Sequence, residues 1–356
     1  MVIIIYSVYV FIRWGGMFLR WKAKKHHTRL HIIKKNFLRL SVKISHKKRV
    51  LKRKAKIEIK VPWIFSLSES EHIAKTLRCL NELIESVKRK NQEIRVNSAD
   101  VKTVDPAALM YLVAILEDAK EQKVIVRGNY PKDNDTKKLF IRYGFHNFVR
   151  NNNGNKKIHI QDVDMLQITE GREISPENGK KICEFAEKHN CFLGEKKSSK
   201  ANLYTTLIEM MGNVRQHAYK KTGRWLTACE FKSDGLEFLF FDRGQGIPTT
   251  VQNNWSDFVR KINRKEESYI LKSALEGGFR TQTKEKNRGK GLPQIYEFLK
   301  SSIIDKAVLF SGHGYCEIEN DSININRDFK EKLHGTLYRW KIKGVKANEK
   351  HRDISS

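Results

Sequence analysis

LIEMMGNVRQHAY, residues 207–219, is the stretch around which this chain is organised. Its mixture of apolar and polar positions predicts a helix that places Glu209, Asn213 and His217 four residues apart. Each such step turns about 40° past a full turn, so the three side chains project from one side. A carboxylate, an amide and an imidazole on one face can position water, a metal ion and a phosphate. Three solvated residues on an ordinary surface helix show the same spacing, and both interpretations stay open at this point.

Two glycine-containing segments follow this predicted helix. LEFLFFDRGQGIP, residues 236–248, begins as an apolar run typical of a buried strand and ends it with Asp242, before Gly244 and Gly246. NRGKGLPQIYEFL, residues 287–299, is a glycine-rich loop that opens into a helix. Free backbone N–H groups at the start of such a helix suit a phosphate. Each glycine pair alone is weak evidence, because tight turns use glycine for ordinary reasons.

The order of these motifs along the chain is more specific than any one of them. E-x-x-x-N-x-x-x-H is followed by D-x-G-x-G-I, then by G-x-G-L, and finally by Gly335 and Thr336. Over residues 202–342 this order resembles that of the GHKL ATPases, the group of histidine kinases, type II topoisomerase and mismatch-repair ATPases, and heat-shock chaperones. The ending NVRQHAY is most similar to the anti-sigma-factor serine kinases of bacterial partner-switching systems.

ATP and Mg²⁺ are the ligands that this resemblance implies. Asn213 matches the asparagine that binds magnesium, and Glu209 matches the glutamate that orients or deprotonates the attacking water or hydroxyl. Asp242 matches the aspartate that accepts a hydrogen bond from the adenine amino group, and Thr336 matches the threonine that supports it. His217 is expected to hydrogen-bond a phosphate or to hold Glu209, with a structural histidine as the alternative.

Glycines and cations around the base and phosphates complete the expected site. Gly244 and Gly246 are expected to let the backbone pass close to the base, and residues 249–288 to form a lid over ATP. The cations and glycine N–H groups at the end of this lid are expected to meet the β- and γ-phosphates, the alternative being one more part of a basic surface. The candidate cofactor-binding residues of this segment are Arg288, Gly289, Lys290, Gly291 and Leu292.

Residues 57–150 alternate strand-like and helix-like segments, which predicts a small α/β layer. The stretch VDPAALMYLVAIL within them resembles the switch region of STAS domains, the fold of anti-sigma-factor antagonists. Asp105 matches the aspartate of that family, but Pro106 and Ala107 stand where a phosphorylatable Ser or Thr is expected. The resemblance therefore implies a docking or scaffolding module for a protein partner, without the phosphorylation switch. Upstream, Ser68 and Glu71 form a Ser-x-x-Glu pattern that predicts a capping box for the first helix.

The chain is strongly basic, and its charge is concentrated near the start. Its formal net charge is +29, and residues 13–60 contain 18 Lys or Arg with Glu58 as their one acid. Such an arm can bind nucleic acid or an anionic membrane, or it can be a solubilising tail, or upstream sequence can have been wrongly included as coding. The apolar run at residues 2–12 is too short to cross a bilayer as a helix. A superficial membrane anchor and a buried strand or helix fragment are its two interpretations.

The predicted fold class is α+β. A two-layer α/β sandwich of the GHKL (Bergerat) type is expected at residues 165–345, and a STAS-like α/β domain at residues 57–150. A linker at 151–164, the basic arm at 1–56 and a polar tail at 346–356 complete the chain. The five scattered cysteines show no metal-ligand spacing, which indicates reduced thiols and no zinc site.

No single reaction follows from the sequence. A histidine kinase needs a dimerisation helix pair with a phosphoacceptor histidine, and the helix-like segment KKICEFAEKHN is too short for that. The main hypothesis is a cytoplasmic ATP-binding protein that hydrolyses ATP slowly or phosphorylates a protein Ser or Thr, with a homodimer as the candidate assembly. The competing hypothesis is a nucleotide-gated binding module with little turnover, peripheral to a membrane or bound to nucleic acid through its basic arm.

Overall fold

The computed structural model describes residues 2–6, 9–14, 17–22, 56–89, 93–149, 162–192, 198–217, 223–254, 266–279 and 291–343. These residues form eight α-helices and thirteen strands, so the described part of the chain has the predicted α+β composition. Contacts divide the chain into two compact units, residues 1–55 and residues 56–356. Within the described ranges, no helix has both the length and the apolar character that a bilayer crossing requires.

The first unit contains a three-stranded antiparallel sheet in the order β1-β2-β3. The apolar run at residues 2–12 therefore forms strand β1 and part of β2, which agrees with a strand and not with a helix fragment. Residues 23–55, the greater part of the predicted basic arm, lie outside the described residues, and the three interpretations of the arm stay predictions. The strands are β1, Val2–Tyr6; β2, Tyr9–Trp14; and β3, Met17–Lys22.

The second unit begins with a small α/β region that we call the N-terminal layer. Its three main strands pair in parallel in the order β4-β6-β8, and two short strands, β5 and β7, pair in parallel beside them. The alternation of strands and helices agrees with the one predicted for residues 57–150. The elements are β4, Lys56–Lys60; β5, Ile64–Phe65; α1, Ser70–Lys88; β6, Glu93–Asn97; β7, Thr103–Val104; α2, Pro106–Glu121; β8, Val126–Asn129; and α3, Asn134–Arg142.

The capping box predicted for the first helix is wrong. The residue at the N-cap of α1 is Glu69, and it makes no side-chain capping bond. Ser68 instead donates its hydroxyl hydrogen to Asp105, whose other oxygen caps α2 by accepting the N–H of Ala108 at 2.7 Å. A nearby charged acceptor outcompetes the local backbone, which is a tertiary preference that local spacing cannot reveal.

The centre of the second unit is a five-stranded antiparallel sheet in the order β12-β13-β11-β10-β9. Strands β10 and β11 form a hairpin, and β12 and β13 form a longer one. The strands are β9, Met165–Gly171; β10, Trp225–Lys232; β11, Gly235–Asp242; β12, Ile304–Glu319; and β13, Ser322–Lys343.

Helices cover one face of this sheet. Apolar residues of α5 such as Leu207 and Met211 are buried there in one core with Phe238, Phe240 and Trp340 of the sheet. The rings of Phe238 and Trp340 stack with their centroids 5.2 Å apart. The helices that follow the N-terminal layer are α4, Pro176–Lys188; α5, Ser198–His217; α6, Ile247–Asn254; α7, Glu267–Leu275; and α8, Gly291–Leu299.

The N-terminal layer packs against the other face of the sheet. Side chains alternate along a strand, so Leu239 and Phe241 of β11 point away from Phe238 and Phe240. They join a second core that includes most of α2, and the rings of Tyr111 and Phe241 lie 4.9 Å apart. The predicted STAS-like and ATPase-like regions thus share one core within one compact unit. Residues 151–161 of the predicted linker lie outside the described residues.

Candidate functional site

Helix α5 carries the polar residues that the sequence placed on one helix face. It spans Ser198–His217, which confirms the predicted helix over its described part. A Cβ atom placed on Gly291 would lie 3.2 Å from both Asn213 Oδ1 and Glu209 Oε2. The carboxylate of Glu209 and the amide of Asn213 therefore converge on the first residue of α8. His217 ends the helix, and its side chain lies outside the described residues.

A pocket opens beside Asn213, between α5, α6, the start of α8, the end of β11 and the interior of β13. We call it the Asp242 pocket. Its volume is about 90 Å³, below the roughly 300–1,000 Å³ of sites that enclose a whole drug-sized ligand. The described residues thus suit one ring system and not an entire nucleotide. Six residues predicted from the sequence line this pocket: Asn213, Asp242, Gly244, Gly246, Leu292 and Thr336.

The amide nitrogen of Asn213 is unpaired among the described residues. This atom, Nδ2, is buried. Leaving a buried donor unpaired costs roughly 1–3 kcal/mol, and such groups are rare in folded proteins. Because the amide lines the pocket, a ligand there would supply the missing partner.

Asp242 lies at the last position of β11, as predicted, and a tight turn follows it. The backbone N–H of Gly244 donates to Asp242 Oδ1 at 2.8 Å. Gly246 has φ +85°, and a Cβ atom there would lie 2.9 Å from Ser311 Oγ. Both the left-handed backbone and the crowding favour glycine at this position. The turn therefore holds the Asp242 carboxylate at the pocket wall and brings the backbone close to it.

Thr336 lies directly opposite Asp242, because the two residues are register partners of β13 and β11. Its buried hydroxyl lies 3.1 Å from Ser311 Oγ, which in turn donates to the carbonyl oxygen of Gly335 at 3.0 Å. Gly335 has φ +131°, and a Cβ atom there would lie 2.0 Å from the carbonyl oxygen of Asp242. Glycine is thus required sterically at position 335, where the two strands meet.

Burial raises the pKa of Asp242 to about 6. Three contacts oppose this rise by stabilising the carboxylate: the N–H of Gly244, the hydroxyl of Thr336 and the positive charge of Arg243. At neutral pH the group is therefore a carboxylate in a largely dry wall, with acceptor capacity facing the pocket.

Several contributors to the pocket were not predicted. Ser311 is fully buried, and its hydroxyl accepts the N–H of Ile247 at 2.9 Å, which fixes the start of α6 against the Gly335 turn. It lies mid-strand in β12, where no motif marks it. The other unpredicted lining residues are Val214, Gln245, Ile247, Thr250, Val251 and Tyr338.

Most of the predicted phosphate-binding loop lies outside the described residues. Arg288, Gly289 and Lys290 lie outside the described residues, and their roles stay predictions. Gly291 and Leu292 open α8, as predicted for a loop that leads into a helix.

A magnesium ion would depend on few protein ligands at this site. Within the described ranges, no group of three or more His, Cys, Asp or Glu residues could hold a metal ion. Mg²⁺ is commonly held by one or two protein groups together with water and substrate phosphates. The amide oxygen Oδ1 of Asn213 could supply one such ligand, and it lies with Glu209 Oε2 beside the first residue of α8.

The STAS-like aspartate lies in a different environment from the Asp242 pocket. Asp105 Oδ2 accepts the hydroxyl of Ser66 and the N–H of Leu67, each at 2.7 Å, besides the hydroxyl of Ser68. Arg339 of β13 donates to Ser68, so this end of the N-terminal layer is held against the central sheet. Both carboxylate oxygens of Asp105 therefore have hydrogen-bond partners within the chain.

Two comparisons with known proteins find no relative of this chain. Neither a scan against protein-family models nor a search of curated proteins returns a match for the chain. The GHKL-like and STAS-like interpretations therefore depend on the residues and contacts described above.

Proposed function

We propose that this protein binds ATP in the Asp242 pocket. The observation that carries the proposal is the convergence of separate motifs on one cavity. Asn213, Asp242, Leu292 and Thr336 come from four distant parts of the sequence, yet all line the same pocket. The Nδ2 atom of Asn213, which has no partner among the described residues, supports a ligand there independently of any motif.

Recognition of the base is attributed to Asp242. Its carboxylate accepts hydrogen bonds only, so it suits the amino group of adenine and opposes the carbonyl that guanine carries at the equivalent position. The pocket around it is largely apolar, with Val214, Ile247 and Val251 in its wall. A planar base would gain from burial there, and the carboxylate would determine which base is accepted.

Glu209 and Asn213 are assigned to the phosphate end of the nucleotide. Magnesium, when bound, would neutralise phosphate charge, and Asn213 is the residue that would hold it. Glu209 would orient the attacking water or hydroxyl and accept its proton. The attacking oxygen would then bond to the γ-phosphorus while the bond to the bridging oxygen breaks and ADP leaves. A water nucleophile gives hydrolysis, and a Ser or Thr hydroxyl gives a phosphoprotein.

Binding and turnover of γ-labelled Mg-ATP test this proposal. Asn213→Ala is expected to abolish binding at concentrations that saturate the wild type. Glu209→Ala is expected to keep binding and lose turnover, and label on protein in place of free phosphate would identify a kinase. Thr205→Ala is the matched control, because Thr205 is exposed on the same helix. Absence of ATP binding by the folded wild type would overturn the proposal.

The second candidate function is a nucleotide-gated binding module with little turnover. It is favoured by the net positive charge of residues 13–60, which contain 18 Lys or Arg and one acidic residue. Residues 1–55 also form a compact unit separate from residues 56–356. In this function the basic segment engages nucleic acid or an anionic membrane. ATP binding without turnover, together with loss of polyanion binding on removal of residues 1–55, would favour it over the enzyme.

A further inference from the structure

Arg243, which directly follows Asp242, connects both walls of the Asp242 pocket. Its backbone N–H donates to the carbonyl oxygen of Arg224 at 3.1 Å, which continues the pairing of β11 with the start of β10. Its guanidinium donates to the carbonyl oxygen of His334 at 2.9 Å. His334 precedes the Gly335 turn, so one side chain ties the strand end that carries Asp242 to the strand segment that carries Thr336.

Helix α2 of the N-terminal layer holds this arginine in place. Asp118 Oδ2 lies 2.9 Å from Arg243 Nε, and both side chains are largely buried. The guanidinium also lies 5.8 Å from the centre of the Tyr111 ring. The hydroxyl oxygen of Tyr111 accepts the N–H of His334 at 2.8 Å. Both backbone groups of His334 are therefore fixed, one directly by α2 and one through Arg243.

The charges around this cluster point to an electrostatic role as well. Within the described part of the chain, the titratable groups that act on Asp242 are Arg243 and Tyr338. Burial beside Arg243 lowers the pKa of His334 to about 4, so His334 is neutral near pH 6. Arg224 is neutralised by its own carboxylates, Glu117, Glu121 and Glu170. Arg243 is thus the charged neighbour that lowers the pKa of Asp242, besides the N–H of Gly244 and the hydroxyl of Thr336.

We propose that Arg243 is a positioning residue for base recognition and that Asp118 and Tyr111 make the N-terminal layer part of the nucleotide site. The inference rests on the proposed function and extends it. The STAS-like region would then serve its own chain by fixing the spacing between Asp242 and Thr336. A partner that displaced α2 would weaken nucleotide binding without touching the pocket.

The test measures the titration of Asp242 and the affinity for Mg-ATP in the full-length protein. The carboxyl titration is followed by ¹³C NMR of aspartate-labelled protein without nucleotide, with Asp242→Asn assigning the signal. Arg243→Met is expected to move the Asp242 midpoint up by about one pH unit, because the opposing charge is lost. ATP affinity should fall on the order of tenfold, the effect of one charge-assisted hydrogen bond. Arg243→Lys should restore the midpoint and only part of the affinity.

Arg127→Met is the matched control, since the Arg127 side chain is 71% exposed on β8 and pairs with Glu93 of β6. It should leave the Asp242 midpoint unchanged. If Arg243→Met does not fold, Asp118→Asn carries the test, because it releases Arg243 from α2. The affinity for Mg-ATP should then fall, and an unchanged affinity would overturn the proposal. An unchanged midpoint in folded Arg243→Met also overturns the proposal. A wild type that binds no ATP refutes the proposed function, while the nucleotide-free midpoint still decides whether Arg243 acts on Asp242.

Discussion

Two helices on opposite faces of one sheet differ in whether their polar side chains have partners within the chain. On α2, the carboxylates of Asp105, Glu117 and Asp118 all find partners within the chain. On α5, the Asn213 amide lines a pocket with its buried Nδ2 atom unpaired among the described residues. Polar groups that are satisfied internally stabilise the fold, whereas an unpaired group in a cavity indicates a ligand. We call the side of the sheet covered by α2 the structural face, and the side covered by α5, which contains the candidate site, the functional face.

The structural face should dominate stability. Phe241→Ala removes a fully buried ring that packs on Tyr111 across the layer interface. We expect a loss of about 3–5 kcal/mol in the free energy of unfolding, in one cooperative transition. Denaturant unfolding followed by far-UV circular dichroism and by tryptophan fluorescence measures it. Trp63→Ala, at a side chain that is 67% exposed, is the control. Two separate transitions would show that the layer and the sheet do not share a core.

The junction between β11 and β13 should be the next most sensitive point. Gly335→Ala combines a positive φ with a Cβ atom only 2.0 Å from the backbone of Asp242. The expected loss is about 2–3 kcal/mol in the free energy of unfolding, together with nucleotide affinity. Gly212→Ala on α5 is the contrast, because the nearest heavy atom would lie 3.9 Å away. A small gain in thermal stability is expected there. Equal effects of the two substitutions would contradict the described turn.

The functional face should carry a cost in stability that depends on pH. Burial raises the pKa of the Asp242 carboxyl from the ordinary value of 3.8 to about 6 in the folded chain. The folded state therefore holds its proton to higher pH, and stability falls as pH rises from about 4 to about 6. Asp242→Asn should be more stable than the wild type above pH 6, with no difference below about pH 4. Melting temperatures of both proteins across this range measure the effect, and a constant difference would refute the raised pKa.

The smallest expected change in stability tests whether Ser68 bonds to Asp105 or caps α1. Its hydroxyl bonds to Asp105 and not to the N-terminus of α1, so Ser68→Ala should cost about 1 kcal/mol through loss of that bond. Glu71→Ala should change the free energy of unfolding by less than about 0.5 kcal/mol, since Glu71 is exposed. Chemical denaturation of both variants measures the difference. A comparable loss in the two variants would restore the capping box predicted from the sequence.

Much of the site was predictable because its residues are constrained by local backbone and chemistry. Asp242 ends an apolar run, and Gly246 needs a left-handed φ. Asn213 follows Glu209 by four residues, which is the spacing of one helix face. These requirements leave a pattern within a few residues of each position. The alternating strands and helices of the N-terminal layer were predictable for the same reason.

Features that depend on distant contacts left no such pattern. Ser311 supports the pocket from the middle of β12, and a buried serine in a strand has no distinguishing neighbours. The ion pair of Arg243 with Asp118 joins residues 125 positions apart. The two faces of β11 are both apolar, which predicts burial on both sides but not which part of the chain provides the second cover.

The most direct test of the central claim compares ATP with ITP, whose base lacks the adenine amino group. Equilibrium binding to the folded wild type at pH 7.5 is expected to favour ATP by roughly tenfold or more, the value of a hydrogen bond to a charged group. Asp242→Asn should bind both nucleotides weakly and with similar affinity. Equal binding of ATP and ITP by the wild type, or a preference that survives in Asp242→Asn, would contradict the assignment of Asp242 as the base-recognising residue.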